Sequence, residues 1–219
     1  MKIGLILFTS IVIFPLVQAR PLPEPQGIFD LAVFLLSDVT IGLGIAYITR
    51  LIFAAVQIAG TVVDFQMGFG VVNVIDPQTD TQVSVTAQFH NIVAVLIFLA
   101  VDAHHFILQA IVESFFIINP AEINFSSLTP EYMLYLFSGT FTTAVKIAAP
   151  IMAILFFLSV GLGLVARTVP QMNVFIVGFP LQIGVGLLMV GLSLSFFSVL
   201  VQQQMYDLPG KFMGFLWAL

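Results

Sequence analysis

Residues able to do chemistry are few in this chain of 219, and they are scattered. The densest group is Asp102-Ala-His104-His105. Asp102 and His105 are three apart, a spacing that lets two side chains share a helical face. A metal site would need at least one further ligand, and no HExxH-like frame surrounds them. The residues alone read as a break or bend in a hairpin, with polar groups bonded locally or facing a partner and no metal. Asp64 stands in a long apolar run, where an ionisable side chain finds a partner or water. We expect it to cap or brace the loop that follows rather than to carry protons. Glu113, alone among apolar neighbours, is expected to face another subunit or the interface.

The rest of the reactive inventory is missing. Cysteine is absent, which removes thiol nucleophiles and thiolate metal sites. No GxSxG elbow and no phosphate-cradling glycine loop occurs. The carboxylates are single rather than paired for acid–base work. Six basic against eleven acidic residues exclude the basic stripe of a nucleic-acid binder. These absences point away from an enzyme and from any cofactor.

Apolar helix must hold those residues. Hydrophobic residues make up 60% and charged residues 8%, whereas soluble domains carry about 25% charged residues. With a mean hydropathy of +1.13, the chain reads as an integral membrane protein or a subunit buried in such an assembly. The 23 Phe against one Trp and four Tyr suit packing more than an interfacial aromatic belt.

In chain order, residues 1–19 have the outline of a secretory leader or a retained helix, and Arg20-Pro-Leu-Pro-Glu-Pro is a linker. Helix is expected from Ile28 to Gln66, with small residues four apart at Gly42/Ala46, Ala55/Ala59 and Gly60/Asp64 for close helix approach. Around Ala54–Pro77 the apolar helix dissolves into Gly68, Gly70, Asn73 and Asp76-Pro77. Non-helical backbone at membrane depth survives only packed in protein or lining a water-filled path, so this stretch is a candidate constriction. A second helical region runs from Ser84 to Phe116. A third, capped by Thr129-Pro130-Glu131, runs to Arg167, and Ile147–Ala166 is long enough to span. Arg167 to Asn173 is a tight connection. Val174–Val201 spans again, with a break expected at Pro180, and residues 202–219 form a shorter amphipathic tail at the interface. The fold class is all-α, polytopic, built of long broken helical hairpins. A secondary transporter with Asp64, Asp102 and His104 as coupling groups is the alternative from another class.

Three motifs carry a family resemblance: AAVQIAGTVVDFQMGFG followed by Asp-Pro, FLAVDAHHFILQAIVESF, and ARTVPQMNVFIVGFPLQIGVGL. In this order they resemble the FliR family of flagellar biosynthetic proteins, which includes the injectisome export subunits called SctT. The resemblance runs from Lys2 to Met205 and covers the chain as one FliR-like membrane domain. It lacks the helix with which family members begin, and it favours a retained helix over a leader at residues 3–15. The wording NVFIVGFPL favours the flagellar branch, with the injectisome branch as alternative.

The resemblance implies a FliP/FliQ-like helical assembly. It implies partnership with FliP-like and FliQ-like gate subunits and an FlhB-like chain, at the flagellar basal body in the bacterial inner membrane. Unfolded export substrates would pass through the centre, and membrane lipid would surround part of the assembly. It also implies that residues 67–83 plug the closed pore. The residues so carried over are Met67, Gly68, Phe69, Gly70, Val71, Val74, Ile75, Asp76 and Pro77. Phe69, Val71, Val74 and Ile75 would form the apolar stopper. Family members often have phenylalanine where Val71 and Val74 stand, so a looser stopper is expected. Asp64, Gln66, His104, Arg167, Pro170, Gln171 and Asn173 are the polar residues expected to shape the scaffold.

Overall fold

The structure, a computed structural model, describes residues 2–17, 25, 27–69, 84–119, 128–169 and 173–219. Its elements are helices: α1 (Lys2–Val17), α2 (Ile28–Met67), α3 (Val85–Ala100), α4 (Ala103–Ile117), α5 (Leu128–Thr168), α6 (Val174–Tyr206) and α7 (Leu208–Ala218). No strand occurs among the described residues. The protein is an all-α, polytopic membrane protein.

Helices α2, α5 and α6 contain 40, 41 and 33 residues, while a span needs about 20. No proline interrupts residues 26–76, so α2 continues until Gly68 stops it. The break expected at Pro180 is not there: α6 carries Pro180 inside an unbroken helix. A proline forfeits one backbone bond and crowds one turn, and local adjustment in apolar surroundings absorbs that loss. The bend expected at Asp102 is present, because the helix breaks between Ala100 and Ala103. Asp102 turns the chain there with φ 55, in the left-handed region that Asp tolerates better than most residues.

The chain divides into two compact units. The first comprises Met1–Arg50, Asp102–Phe137 and Tyr206–Leu219. In it α4 packs on α1 and on α7. Helix α7 buries Leu208, Phe212, Phe215 and Leu216, and the Phe215 ring occupies the space where a side chain on Gly44 would begin. The Tyr132 hydroxyl donates to the Lys211 carbonyl at 3.1 Å, and Thr129 Oγ1 donates to the Ala218 carbonyl. Of the expected tail, residues 202–206 finish α6 and the remainder forms α7 within this unit.

The second unit comprises Leu51–Val101 and Ser138–Met205. Val56, Val63, Met67, Ile151, Leu155, Phe197 and Met205 are buried at its core. The end of α2 approaches α3 closely: a Cβ on Gly60 would collide with the Ala87 backbone. Further along, Phe53 and Phe98 meet edge to face at 5.9 Å.

Among the described residues, three helices are long and apolar enough to cross a membrane, and the broken α3–α4 pair, taken as one span, would make a fourth. Only 22% of each spanning window is buried within the chain. The rest of each window must meet lipid or other chains.

Candidate functional site

The stretch singled out in the sequence is entered through the end of α2. Gly68 takes φ 92, a conformation glycine adopts without steric cost. Its N–H donates to the Phe65 carbonyl at 3.2 Å, and the Phe69 N–H donates to the Asp64 carbonyl at 3.1 Å. This pair of bonds is a Schellman stop, which satisfies carbonyls that the helix end would leave orphaned. A Cβ on Gly68 would sit 2.6 Å from the Phe179 ring of α6, so space as well as conformation requires glycine there.

Asp64 lies one turn before this stop and is 5% exposed. A carboxylate near the C-terminus of its own helix is poorly placed against the helix dipole. The N-terminus of α3 compensates for that. Ser84 Oγ donates to Asp64 Oδ2, and the Thr86 N–H donates to the same oxygen at 3.1 Å. Ser84 is also the N-cap of α3, its hydroxyl accepting from the Ala87 N–H at 3.1 Å. One carboxylate and one hydroxyl therefore satisfy several groups at this helix end, where anionic groups are favoured. They also tie together the chain on either side of residues 70–83.

Met67 is fully buried, with its thioether against Gly186 of α6. Expected as the first residue of the plug, it is the last residue of α2 and is buried in the core of the second unit. Phe69 is half-buried. Gly70, Val71, Val74, Ile75, Asp76 and Pro77 lie outside the described residues, as do Pro170 and Gln171.

Of the other polar residues, Gln66 is half-buried with its Oε1 enclosed. Arg167 stands in the last turn of α5, where a cation suits the carbonyl end of the helix. The Asn173 carbonyl accepts from the Ile176 N–H at 3.1 Å. His104 is in the first turn of α4, away from the Asp64–Ser84 tie in sequence. Sequence reasoning passed over His90. It is 2% exposed, its Nδ1 lies 2.9 Å from the Thr86 carbonyl, and its ring centroid is 4.7 Å from that of Phe197.

The arrangement can anchor both ends of a segment rigidly; it contains no nucleophile–base pair. A family model described as "Bacterial export proteins, family 1" matches residues 1–208. The flagellar biosynthetic protein FliR of Bacillus subtilis (strain 168) is 38% identical over 205 residues, covering 92% of this chain and 78% of that protein. FliR of Aquifex aeolicus (strain VF5) is 34% identical over 178 residues, 81% of this chain and 69% of the relative. The Yop proteins translocation protein T of Yersinia pestis is 26% identical over 191 residues, 85% and 72% of the two chains.

Proposed function

From the membership of this chain in family 1 of the bacterial export proteins, we propose that the segment 67–83, from Phe69 onward, closes the channel of a flagellar type III export gate. The chain is a subunit of that gate, a structural component of the export apparatus. The flagellar assignment follows the higher identity to the two flagellar relatives than to the Yersinia one. Its place is the bacterial inner membrane at the flagellar basal body, crossed more than once. FliP-like and FliQ-like subunits cover its exposed apolar helices, an FlhB-like chain lies beside them, and unfolded flagellar proteins pass through the assembly.

Closure rests on the apolar side chains of Phe69, Val71, Val74 and Ile75, and Gly68 and Gly70 supply the backbone freedom for their movement. A collar of apolar side chains excludes water and ions by dewetting, yet a threaded polypeptide can push it aside. The observation that carries this reading is the Asp64–Ser84 tie. A segment that is displaced and then returns needs fixed ends, and the tie holds both ends against one unit. The helix lengths give further support. At about 1.5 Å per residue, the 40 residues of α2 reach far beyond the ~30 Å hydrocarbon core, leaving apolar turns for other subunits to cover.

A transporter would recruit Asp64 as a coupling group, whereas here its Oδ2 is engaged by Ser84 and Thr86. Co-expression with the two other small apolar gate subunits, followed by native mass measurement, separates the two. A gate subunit is recovered in one hetero-oligomer with unequal stoichiometry. Recovery as a monomer or homo-oligomer alone overturns the assignment.

A further inference from the structure

The Asp102-Ala-His104-His105 corner takes no part in the closing segment, and its geometry goes beyond what its spacing suggests. Helix α3 ends at Ala100 and α4 begins at Ala103, with the left-handed Asp102 between them. Asp102 occupies the N-cap position of α4, yet its side chain makes no capping hydrogen bond. The carboxylate instead turns toward the two imidazoles of the first turn. His104 Nε2 is 4.0 Å and His105 Nδ1 3.7 Å from the same oxygen, Asp102 Oδ1. The ring centroids of the two histidines are 4.2 Å apart. One ligand atom from each of the three residues lies within 4.8 Å of the other two.

We propose that this corner binds a borderline divalent transition-metal ion, with Zn²⁺ the ion it suits best. Ligand atoms held at about 2.0–2.1 Å around a tetrahedral zinc ion are roughly 3.4 Å apart. The three atoms here are a short contraction away from that arrangement. Their side chains are 70%, 41% and 66% exposed, so rotation about side-chain bonds accomplishes it without moving the helices. Two imidazoles and one carboxylate are an N,N,O set, which suits zinc, nickel or copper, whereas magnesium and calcium require oxygen shells. Three protein ligands leave one position open to water. The ligands come from four consecutive residues, so the site needs no other subunit to form. A bound ion would fasten the first turn of α4 to the residue that makes the bend. The competing explanation is a surface His–Asp ion pair, which is worth little in water and takes up no metal.

The composition makes the test clean. The chain has no cysteine and three histidines in all, and the third, His90, is buried with Nδ1 at the Thr86 carbonyl. Full-length protein in detergent is titrated with zinc chloride against a chromophoric chelator, with magnesium chloride as control. Helical content by circular dichroism verifies the fold of each variant. One zinc ion per chain is expected, with no response to magnesium. Cobalt substitution should give a visible d–d band from the bound ion. His104→Gln and His105→Gln each weaken zinc binding roughly tenfold or more. Asp102→Asn, which keeps a residue tolerant of the left-handed turn, weakens it as well. Absence of stoichiometric zinc binding overturns the proposal. Binding unchanged in the His104→Gln/His105→Gln double variant, an adventitious ion only, overturns it equally.

Discussion

The Asp64 carboxylate on the last turns of α2 accepts a hydrogen bond from Ser84, the residue that caps α3. Its oxygen is buried, and the Thr86 N–H bonds the same atom at 3.1 Å. Removing either partner strands a polar group away from water. Asp64→Ala should therefore destabilise the second unit by about 1–3 kcal/mol, and Ser84→Ala by ~1 kcal/mol through the lost cap. Because the residues act through one bond, the double variant should cost less than the sum, with a coupling of about 0.5–3 kcal/mol. Thermal unfolding in detergent measures all three, and strict additivity would deny the tie.

Met67 and Gly186 form a second contact that is testable by exchange of volume. A Cβ on Gly186 would overlap the Met67 thioether, so Gly186→Ala should overpack the core by about 1–3 kcal/mol. Met67→Ala should cost about 2–5 kcal/mol as a cavity. Combined, the new methyl group occupies part of the space that Met67 vacates. The pair should then be more stable than Met67→Ala alone, as read from the unfolding midpoint.

Glycines within α2 should answer differently to the same substitution. Gly60→Ala drives a methyl group into the Ala87 backbone, which cannot swing aside as a side chain would. It should separate α2 from α3 and lower stability by about 1–3 kcal/mol. At Gly42 a Cβ meets nothing within 4 Å, so Gly42→Ala should raise helix stability by about 0.5–1 kcal/mol in the isolated chain. Equal effects at the two positions would contradict the packing described here.

These contrasts show what was legible in the residues and what was not. Small residues at Ala55, Ala59 and Gly60 announced a close helix contact, and all three lie where the second unit is packed. Gly42 and Ala46 share the same spacing, but within this chain both are exposed. Spacing reveals that a face can be approached; it does not reveal which helix approaches it. It is Gly44, outside any such pattern, that receives Phe215. The Gly68 stop and the bend at Asp102 were readable because each is made by local backbone chemistry. Pro180 misled for the opposite reason: its local preference was overridden by the apolar helix around it. The role of Asp64 as a brace was legible in kind, since a lone carboxylate in apolar helix needs donors. Its partners Ser84 and Thr86 lie some twenty residues away, and only the folded hairpin brings them to it. His90 went unnoticed because the Phe197 ring that it packs against lies far away in the sequence.

Closure of the channel by the segment after Met67 is tested most directly by ion conductance of the assembled gate in a planar bilayer. The measurement compares the complete chain with one lacking residues 69–75, after native mass measurement confirms that both assemblies contain the same subunits. Deletion should convert a silent complex into one that conducts small ions at rest. An assembled deletion variant as silent as the parent would contradict the account.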